Sequence, residues 1–564
     1  MSTTMSLGEQ ISAWRDQEPE DAHREFLTDL LAKLSVGNSE AAKSAQDMFG
    51  SQLSFGTAGI RGPMRPGPNG MNRVVVAHTT AGLARYLQES LPKNQGRPLR
   101  VAIGFDGRHH SEVFAQDAAQ IFSGYGIQAL ILPRLLPTPV LAFTVRKLGC
   151  DAGVMVTASH NPPQDNGYKV YFGGSDEGSQ IIPPVDREIE AQIQQVARTL
   201  AWSEIPRSPT LVSTIEAAVV DDYISASLDS LSLTGPHTSS LSIVYTAMHG
   251  VGGKTFLETL SQAGFPTPHI VEEQFHPDGD FPTVSFPNPE EKGALDLSYK
   301  KARHVDADLI IAHDPDADRL AVAIPDPSSQ SGYRPLTGNQ LGAILGWHIA
   351  DKTRGAGSSG SLANSLVSSP VLGKIARHFE LGHEETLTGF KYVSRVKGLV
   401  FGFEEALGYL VTPDVVKDKD GISAGLLLIS LAYTLADEGK TLADYLHTIE
   451  DAVGAFSSSQ VTVKLEDGTP ASRLTNSLRS SSISVIGDRA VTESDDFLDG
   501  VSGFPPEDIL RYYLDDGSRV TVRPSGTEPK VKVYIDTTGE SSEAAQATLH
   551  QLESDLAALV KSLS

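Results

Sequence analysis

Short apolar runs that end in polar, glycine-rich turns recur along the chain. Four of them cover residues 101–103, 152–156, 241–245 and 309–312. Continuous apolar runs of this length are typical of strands that are buried on both faces of an α/β layer. Proteins of that class usually bind their ligands in the turns after such strands, so these four turns are the first candidates for chemistry.

The two ends of the chain have different patterns. Leucines at helical spacing between Leu27 and Leu34 predict that residues 1–45 form a helical extension. The last block has strand-like runs at 461–465, 483–486, 519–523 and 531–535, followed by an amphipathic helix, which is an α+β pattern.

Stretches rich in Pro, Ser and Gly at 207–214, 325–332 and 454–460 separate blocks of similar size. They predict a helical extension, three α/β domains and an α+β domain, with the boundaries 1–45, 46–207, 208–327, 328–455 and 456–564.

Composition narrows the class of protein. The 564 residues include 46 Lys and Arg against 70 Asp and Glu, a net charge of −24 that would repel a nucleic acid. No apolar run approaches the roughly 18 residues of a membrane span, and the N-terminus lacks the pattern of a signal peptide. The single cysteine, Cys150, excludes an internal disulfide. We therefore expect a cytoplasmic protein with no nucleic-acid and no membrane partner.

Three carboxylates at alternate positions, Asp314, Asp316 and Asp318, follow the apolar run at 309–312. A bent chain can direct three such side chains at one point, and oxygen ligands suit Mg²⁺. An EF-hand loop is excluded because its sixth and twelfth positions would be Arg319 and Pro325. A solvated acidic turn is the alternative.

The run at 152–156 leads into Thr-Ala-Ser-His-Asn-Pro-Pro, in which Ser159 and His160 are adjacent. The serine is a candidate nucleophile, but the G-x-S-x-G turn of acyl-transfer hydrolases is missing. Lys169 lies close in sequence and could hold a phosphate, or move a proton if its pKa is lowered. A turn with no chemical role is the alternative.

Two further turns carry polar side chains. Residues 523–530, Arg-Pro-Ser-Gly-Thr-Glu-Pro-Lys, have the composition of a phosphate-binding loop, although an ordinary tight turn is the alternative. Glu404 and Glu405 could bind sugar hydroxyls or belong to an acidic surface loop. The segment at 247–255 ends like a nucleotide-binding loop but has Met248 where that pattern requires Gly, so nucleotide binding is excluded there.

A hydroxyl nucleophile, a cation site and a separate phosphate-binding loop together indicate phosphoryl transfer on a substrate that keeps a second phosphate. A Mg²⁺-dependent sugar phosphatase would not need the separate loop. A non-catalytic sugar-phosphate sensor would not need the nucleophile.

In this order the motifs TASHNPP, DPDADR, FEEALGY and RPSGTEPK resemble those of the α-D-phosphohexomutases, from about residue 50 to 536. The segments LSFGTAGIRG, FPTVSFPNPEE, TGFKYV and DKDG are most similar to the branch with phosphoglucomutase-2, phosphopentomutase-type enzymes and bacterial phospho-sugar mutases. The resemblance implies an α/β protein of four domains around a central cleft. Three related mixed α/β domains would precede a smaller α+β C-terminal domain.

The resemblance also implies residue roles. Ser159 would be phosphorylated, and its phosphate would complete a Mg²⁺ site. The implied catalytic residues are Ser159, His160, Lys169, Arg61, Arg108 and Lys419, with Lys417 as the alternative to Lys419. The implied metal ligands are Ser159, Asp314, Asp316 and Asp318. The implied substrate-binding residues are Arg319, Gly389, Phe390, Lys391, Glu404, Glu405, Arg523, Ser525, Gly526, Thr527 and Lys530.

The implied reaction interconverts sugar 1-phosphates and 6-phosphates through a sugar bisphosphate, with sugar 1,6-bisphosphate as activator. Glucose is the first expected sugar and mannose the second. Ala406 stands where many glucose-specific members have Ser, which leaves ribose or deoxyribose 1-phosphate, and hence a phosphopentomutase, open. Sugar monophosphates and bisphosphates are the expected partners, and the expected state is a monomer or a weak homodimer.

Overall fold

A computed structural model describes residues 5–56, 58–91, 97–464, 471–501, 503–524 and 530–563. The chain divides into two compact units. Unit 1 contains Met1–Leu336 and Gly408–Tyr433, and unit 2 contains Thr337–Leu407 and Thr434–Ser564. The domain boundaries given by composition stay predictions.

The N-terminal extension is helical, as predicted. It consists of α1 (Leu7–Gln17), α2 (Asp21–Ser35) and α3 (Ser39–Phe49). Ser6 and Glu9 form a capping box at the start of α1, which satisfies backbone N–H groups that a helix end would leave free. Ile11 and Leu27 are buried in the hydrophobic core of the first sheet, so the extension is packed against that sheet.

The first sheet of unit 1 has the strand order β1-β5-β4-β2-β3-β7, with β6 paired to β5. Strands β4, β2, β3 and β7 are parallel to one another, and β5 is antiparallel to both β4 and β1. The predicted strands at 101–103 and 152–156 lie in β2 and β4. The elements are β1 (Gly59–Pro63), α4 (Arg73–Ser90), β2 (Arg100–Phe105), α5 (Ser111–Gly124), β3 (Gln128–Ile131), α6 (Thr138–Lys147), β4 (Ala152–Val156), β5 (Asp165–Phe172), β6 (Ser179–Gln180), α7 (Val185–Thr199), β7 (Val212–Thr214) and α8 (Ala218–Leu231).

The second sheet of unit 1 has the order β12-β11-β10-β8-β9. Strands β8, β9 and β10 are parallel, and β11 and β12 add antiparallel pairs. The predicted strands at 241–245 and 309–312 lie at β8 and β10. The elements are β8 (Ile243–Thr246), α9 (Gly252–Gln262), β9 (His269–Ile270), α10 (Asp296–Val305), β10 (Leu309–His313), β11 (Leu320–Pro325) and β12 (Tyr333–Pro335).

The next part of the chain is again α/β. In unit 2 β13 is parallel to both β14 and β15, whereas β16 and most of α14 belong to unit 1. The elements are α11 (Gly338–Gly355), β13 (Ser361–Ser365), α12 (Val371–His378), β14 (Gly382–Thr386), α13 (Phe390–Val393), β15 (Leu399–Glu404), β16 (Gly408–Leu410), α14 (Gly421–Asp437) and α15 (Leu442–Val453).

The C-terminal part of unit 2 is α+β, as predicted. Its antiparallel sheet has the order β17-β22-β21-β20-β19-β18. Leucines of the last helix, including Leu549 and Leu552, are buried in the same core as Val522 and Val533 of the sheet. The elements are β17 (Ala455–Lys464), α16 (Ser472–Ser481), β18 (Val485–Ile486), β19 (Arg489–Asp496), β20 (Leu510–Leu514), β21 (Arg519–Pro524), β22 (Lys530–Gly539) and α17 (Ser542–Leu563).

Four short 3₁₀ helices complete the described elements, at Gly174–Asp176, Trp202–Glu204, Glu272–Gln274 and Phe497–Asp499. Within the described ranges, no single helix is long and apolar enough to cross a membrane; α14 and α15 meet the length and composition criteria only together, as a bent pair.

Candidate active site

The acidic turn after β10 brings its three carboxylates together. Asp314, Asp316 and Asp318 are buried, and one oxygen from each lies within 4.8 Å of the other two. Ala317 has a φ of +53° and donates its N–H to the Asp314 carbonyl at 2.9 Å, so the backbone bends between the ligands. The solvated-turn alternative is therefore excluded for this segment.

The loop after β8 supports this turn from behind. Val251 N–H donates to the Pro315 carbonyl at 2.8 Å. A Cβ atom on Gly250 would lie 2.5 Å from Pro315 Cα, so only glycine permits this close approach. The segment at 247–255, whose sequence excludes nucleotide binding, thus supports the acidic turn.

Ser159 lies directly against the acidic turn. Its Oγ donates to Asp314 Oδ2 at 2.7 Å, although the two residues are 155 positions apart. The serine has a φ of +50°, an uncommon backbone conformation for a residue with a side chain, which is typical of functional turns. Its N–H donates to Thr157 Oγ1 at 2.9 Å, and this bond holds the turn.

His160 lies beside the serine, and the charge of Arg61 acts on His160. His160 Nδ1 is 3.2 Å from Ser159 Oγ. Burial, together with the nearby charges of Arg319 and Arg61, holds the pKa of His160 well below its usual value, so the ring is neutral at pH 7. Arg61 is in β1, paired in register with Gly167 of β5.

Two lysines contact the carboxylates. Lys169 Nζ donates to Asp316 Oδ2 at 2.7 Å and to Asp318 Oδ2 at 2.9 Å. Lys419 Nζ lies 3.1 Å from Asp318 Oδ2. Lys417 instead faces Glu177 at 3.5 Å, so the structure places Lys419 rather than Lys417 in the cluster.

The three aspartates and the lysines that contact them form a cluster of charges, and not every charge in this cluster is balanced by a partner. Burial alone would lower the pKa of Lys169, but Asp316 and Asp318 raise it well above its usual value. Burial would raise the pKa of Asp318, but Lys169 and the neighbouring cations lower it strongly. Burial and its two carboxylate neighbours raise the pKa of Asp314 well above the usual range, so this side of the turn has too little positive charge.

The acidic turn fits a divalent cation. Among the described residues, the buried atoms Asp316 Oδ1 and Asp318 Oδ1 have no hydrogen-bond partner. Such atoms are costly unless something binds them, and three carboxylate oxygens are a donor set that suits Mg²⁺. Asp314, Asp316 and Asp318 could therefore hold the ion beside Ser159.

Arg319 is the third cation of the cluster. Its backbone N–H donates to Asp314 Oδ1 at 3.1 Å, and its Nε lies 3.8 Å from Asp318 Oδ1 and 4.0 Å from Asp314 Oδ2. The side chain is thus close enough to Ser159 to reach a group attached there.

Arg108 holds the serine loop by its backbone. The buried guanidinium donates to the carbonyl oxygens of Ser159 and Asn161 at 2.6 Å, of Pro162 at 2.8 Å and of Asp165 at 3.0 Å. Because four carbonyl groups accept from its two terminal nitrogens, the structure shows Arg108 as a positioning residue for the loop that carries Ser159.

The sequence patterns missed two groups of positioning residues. Thr138, at the start of α6, donates its Oγ1 to Asp316 Oδ2 at 2.5 Å and its N–H to the Asp316 carbonyl at 2.9 Å. Tyr171 and Gln180 donate to Asp418 at 2.9 and 2.8 Å, and Asp418 adjoins Lys419. All of these contacts join segments that are far apart in sequence, so no local motif could predict them.

The predicted sugar-binding residues lie in unit 2. Gly389 N–H donates to Glu404 Oε1 at 2.7 Å, and Ser368 Oγ donates to Glu405 Oε2 at 2.9 Å. Phe390 and Lys391 are buried in the short helix α13. The two glutamates are thus held in defined orientations, and their role in sugar binding stays a prediction.

The predicted phosphate-binding loop joins two antiparallel strands. Arg523 lies near the end of β21 and pairs with Lys532, and Lys530 begins β22. Ser525, Gly526 and Thr527 lie outside the described residues.

Comparison with known proteins decides the family. Models of the four domains of the phosphoglucomutase/phosphomannomutase family match the chain in order. Alpha/beta/alpha domains I, II and III match residues 52–199, 221–327 and 337–452, and the C-terminal domain matches residues 474–552. The chain belongs to this family. The predicted family and its four-domain, mixed α/β architecture are thereby confirmed.

Relatives of this phosphoglucomutase/phosphomannomutase family member carry different names. A "Probable phosphomannomutase" of Haemophilus influenzae is 47% identical over 484 residues, covering 86% of this chain and 96% of the relative. A "Phosphopentomutase" of Homo sapiens is 35% identical over 578 residues, covering 94% and 91%. A phosphoglucomutase/phosphomannomutase family protein of known structure from Burkholderia thailandensis shares the fold. Its TM-score is 0.67 at 20% identity, covering 91% of this chain and 98% of that one.

The role of Arg108 in this family member gives a first prediction. Arg108→Lys keeps the charge but cannot donate to four carbonyl groups, so some buried oxygens lose their partners. We expect the free energy of unfolding to fall by about 1–3 kcal/mol and kcat to fall at least about tenfold. Urea titration and steady-state kinetics measure both. Arg100→Lys in β2 is the matched control, and equal effects of the two variants would contradict the role.

The role of Thr138 gives a second prediction. Thr138→Val keeps the shape of the side chain but removes the donor to Asp316. We expect the Mg²⁺ concentration for half-maximal activity to rise about 10–100-fold, because a group that orients a metal ligand is lost. Thr144→Val on the same helix removes only a bond to the Val140 carbonyl and should leave this concentration unchanged. An unchanged value in Thr138→Val would contradict the assignment.

Proposed function

We propose that the chain is a phospho-sugar mutase that interconverts sugar 1-phosphates and 6-phosphates by way of a phosphorylated Ser159. The observation that carries this proposal is the hydrogen bond from Ser159 Oγ to Asp314 inside the buried acidic turn. A hydroxyl in contact with a carboxylate triad that fits a cation is an arrangement suited to phosphoryl transfer, because the cation can stabilise charge on a phosphoryl group that the hydroxyl carries.

The charge balance of the cluster supports a phosphoryl group there. With all three aspartates ionised, as they would be as ligands of a cation, the turn carries three negative charges, and Lys169, Lys419 and Arg319 carry three positive ones. A phosphoryl group on Ser159 would add about −1.5 to −2 charges, and a divalent cation would add +2. If the phosphoryl group and the cation bind together, the net charge of the buried site stays close to zero. If only one of them binds, the site has a net charge.

The proposed reaction has two phosphoryl transfers. In the first, the P–O bond to Ser159 Oγ breaks and a P–O bond forms to a free hydroxyl of the sugar monophosphate; that hydroxyl gives its proton to a base, and Ser159 Oγ takes up a proton. In the second, the P–O bond to the other sugar oxygen of the resulting bisphosphate breaks and a P–O bond forms to Ser159 Oγ; the serine gives up its proton, and the freed sugar oxygen takes one up.

The chain's own residues carry most of this chemistry. Lys169, Lys419 and Arg319 neutralise charge that develops on the transferring group, and Arg108 fixes the backbone that carries the serine. Bound Mg²⁺ would supply further stabilisation of the negative charge on the phosphoryl oxygens.

For the sugar we propose glucose first, on the resemblance of the motifs, and mannose second, because the Haemophilus influenzae relative is named a phosphomannomutase. A second candidate is ribose 1-phosphate or deoxyribose 1-phosphate. It is favoured by the human relative named a phosphopentomutase and by Ala406, which offers no hydroxyl to a hexose.

Phosphorus NMR tests the proposal. The purified chain is given Mg²⁺, a trace of glucose 1,6-bisphosphate, and glucose 1-phosphate, mannose 1-phosphate or ribose 1-phosphate in separate samples. Growth of the matching 6-phosphate or 5-phosphate signal supports the mutase, and the relative rates identify the sugar. Growth of inorganic phosphate alone would indicate a phosphatase and would contradict the proposal, as would no change with any sugar.

A further inference from the structure

Residues 365–368 form a turn in unit 2, between β13 and α12, that holds one of the predicted sugar-binding glutamates. Ser368 Oγ donates to Glu405 Oε2 at 2.9 Å and accepts from the Glu405 N–H at 3.1 Å. Ser365 Oγ lies 2.8 Å from Ser368 Oγ and donates to Glu405 Oε2 at 3.3 Å. The position of the 365–368 turn therefore decides where the Glu405 carboxylate lies.

Two arginines of the C-terminal sheet hold this turn by its backbone. Arg511 of β20 donates from Nη2 to the Leu366 carbonyl at 2.6 Å. Arg519 of β21 donates from Nη2 to the Ser368 carbonyl. Both arginines are buried, so water does not compete for these hydrogen bonds. The C-terminal sheet thus fixes the 365–368 turn at two points.

Glu385 of β14 orients both arginines. Its Oε2 accepts from Arg511 Nη1 at 3.1 Å, and its Oε1 accepts from Arg519 Nη1 at 3.0 Å. Burial would raise the pKa of Glu385, but the charges of Arg519 and Arg511 lower it below the usual value, so the carboxylate is ionised at pH 7. Asp536 of β22 accepts from Arg519 Nε at 3.0 Å. We call Glu385, Arg511, Arg519 and Asp536 the Glu385 network.

Apolar packing already joins the turn to the C-terminal sheet. Leu366 and Val367 share one hydrophobic core with Phe497, Ile509 and Tyr534. A buried ion-pair network often stabilises a fold no better than apolar side chains of similar volume, but its hydrogen bonds are directional. The Glu385 network therefore contributes a defined geometry of the turn rather than additional cohesion.

The same sheet carries Arg523, a predicted phosphate-binding residue. The hydroxyl of Tyr534, in the neighbouring strand β22, is hydrogen-bonded to Arg523. Burial raises the pKa of Tyr534, and the charge of Glu405 raises it further, so Glu405 is also close to this hydroxyl. Tyr534 is thus a common neighbour of the phosphate-binding arginine and the sugar-binding glutamate.

We propose that Glu385 is a positioning residue for the substrate. Through its two arginines and the 365–368 turn, Glu385 holds Glu405 at a fixed distance from Arg523, so that one sugar monophosphate can bind to both. Glu385 itself touches no substrate. This proposal rests on the proposed function, in which Glu405 binds the sugar and Arg523 binds the phosphate that is not transferred.

Steady-state kinetics with glucose 1-phosphate and with ribose 1-phosphate test the proposal, at saturating Mg²⁺ and bisphosphate. Glu385→Gln leaves the two arginines with a neutral partner, and Ser368→Ala removes the donor to Glu405 but keeps the carbonyl that accepts from Arg519. For each sugar that the parent converts, we expect both variants to raise KM about tenfold and to change kcat by less than about threefold. The Mg²⁺ concentration for half-maximal activity should be unchanged, because the acidic turn keeps its residues.

A double substitution distinguishes positioning from general stability. In the background of Glu405→Gln, the further change Glu385→Gln should raise KM by less than about twofold, because the residue through which Glu385 acts is already altered. If Glu385 only stabilised the fold, the two increases in KM would multiply. Arg511→Lys, which keeps the charge but lacks the paired donors, should behave as Glu385→Gln does and replaces it if that variant does not fold.

Two control variants change the same sheet away from the turn. Asp516→Asn removes an ion pair with Arg489, and Ser518→Ala removes a buried hydroxyl. Both should keep the parent KM, and circular dichroism checks that every variant is folded. With an active parent, the proposal is overturned if Glu385→Gln and Ser368→Ala leave KM unchanged, or if the effects of Glu385→Gln and Glu405→Gln multiply. A parent that converts no sugar phosphate would instead contradict the proposed function, and this proposal with it.

Discussion

The Ser159→Ala variant is expected to lose mutase turnover, with kcat reduced by at least about 10⁴-fold, because the atom that would carry the phosphoryl group is removed. The fold should persist, since a buried hydroxyl is replaced by a smaller group. The donor to Asp314 also disappears, but bound Mg²⁺ can still use that carboxylate. The measurement is the conversion of sugar 1-phosphate to 6-phosphate under saturating Mg²⁺ and bisphosphate.

The matched control for this variant is Ser298→Ala. Ser298 is also a buried serine of unit 1, in α10, and its hydroxyl has no partner among the described residues. Its loss should leave kcat unchanged. If Ser159→Ala kept more than about a tenth of the parent kcat, Ser159 could not be the phosphoryl carrier.

The Asp316→Asn variant should show the second-largest effect. Asparagine keeps the size of the side chain but removes one of three negative charges that would hold the cation, and it leaves Lys169 with a neutral partner. We expect kcat to fall by more than about 100-fold, and the loss should not be recovered at high Mg²⁺ because the remaining site has the wrong charge. Activity as a function of Mg²⁺ concentration measures this.

Asp229→Asn serves as the control, because Asp229 is an exposed acidic residue on α8 of the same unit. It should leave both kcat and the Mg²⁺ dependence unchanged. Full recovery of Asp316→Asn by additional Mg²⁺ would mean that the carboxylate only raises metal affinity. Undiminished activity without added metal would contradict the metal site altogether.

Local sequence patterns predicted the elements that carry the chemistry. The apolar runs before Ser159 and Asp314 lie in buried strands, and the alternation of three aspartates does place them at one point. These predictions succeed because each depends on a few adjacent residues, whose burial and turn preferences are set locally.

The pattern of apolar runs did not predict two strands of the C-terminal sheet, β19 and β20. Strand β19 is largely polar and exposed, so it has no apolar run to detect. Strand β20 contains Arg511, which is buried because it donates to Glu385 and to the Leu366 carbonyl. A charge that is satisfied by distant partners interrupts the apolar pattern without interrupting the strand.

Contacts between distant segments could not be predicted from the sequence either. Lys417 and Lys419 are two positions apart, and only the fold shows that Lys419 meets Asp318 while Lys417 meets Glu177. The family resemblance implies that Arg108 is a catalytic residue, whereas in the structure its two terminal nitrogens donate to four backbone carbonyls of the loop that carries Ser159. Which partner a long cationic side chain meets depends on tertiary packing.

Mass spectrometry of the chain after brief incubation with glucose 1,6-bisphosphate and Mg²⁺ tests the central claim most directly. The account predicts one phosphoryl group per chain, located on Ser159 by fragmentation, and its loss when excess sugar monophosphate is added. A phosphoryl group on another residue, or turnover by a chain that never carries one, would contradict the account.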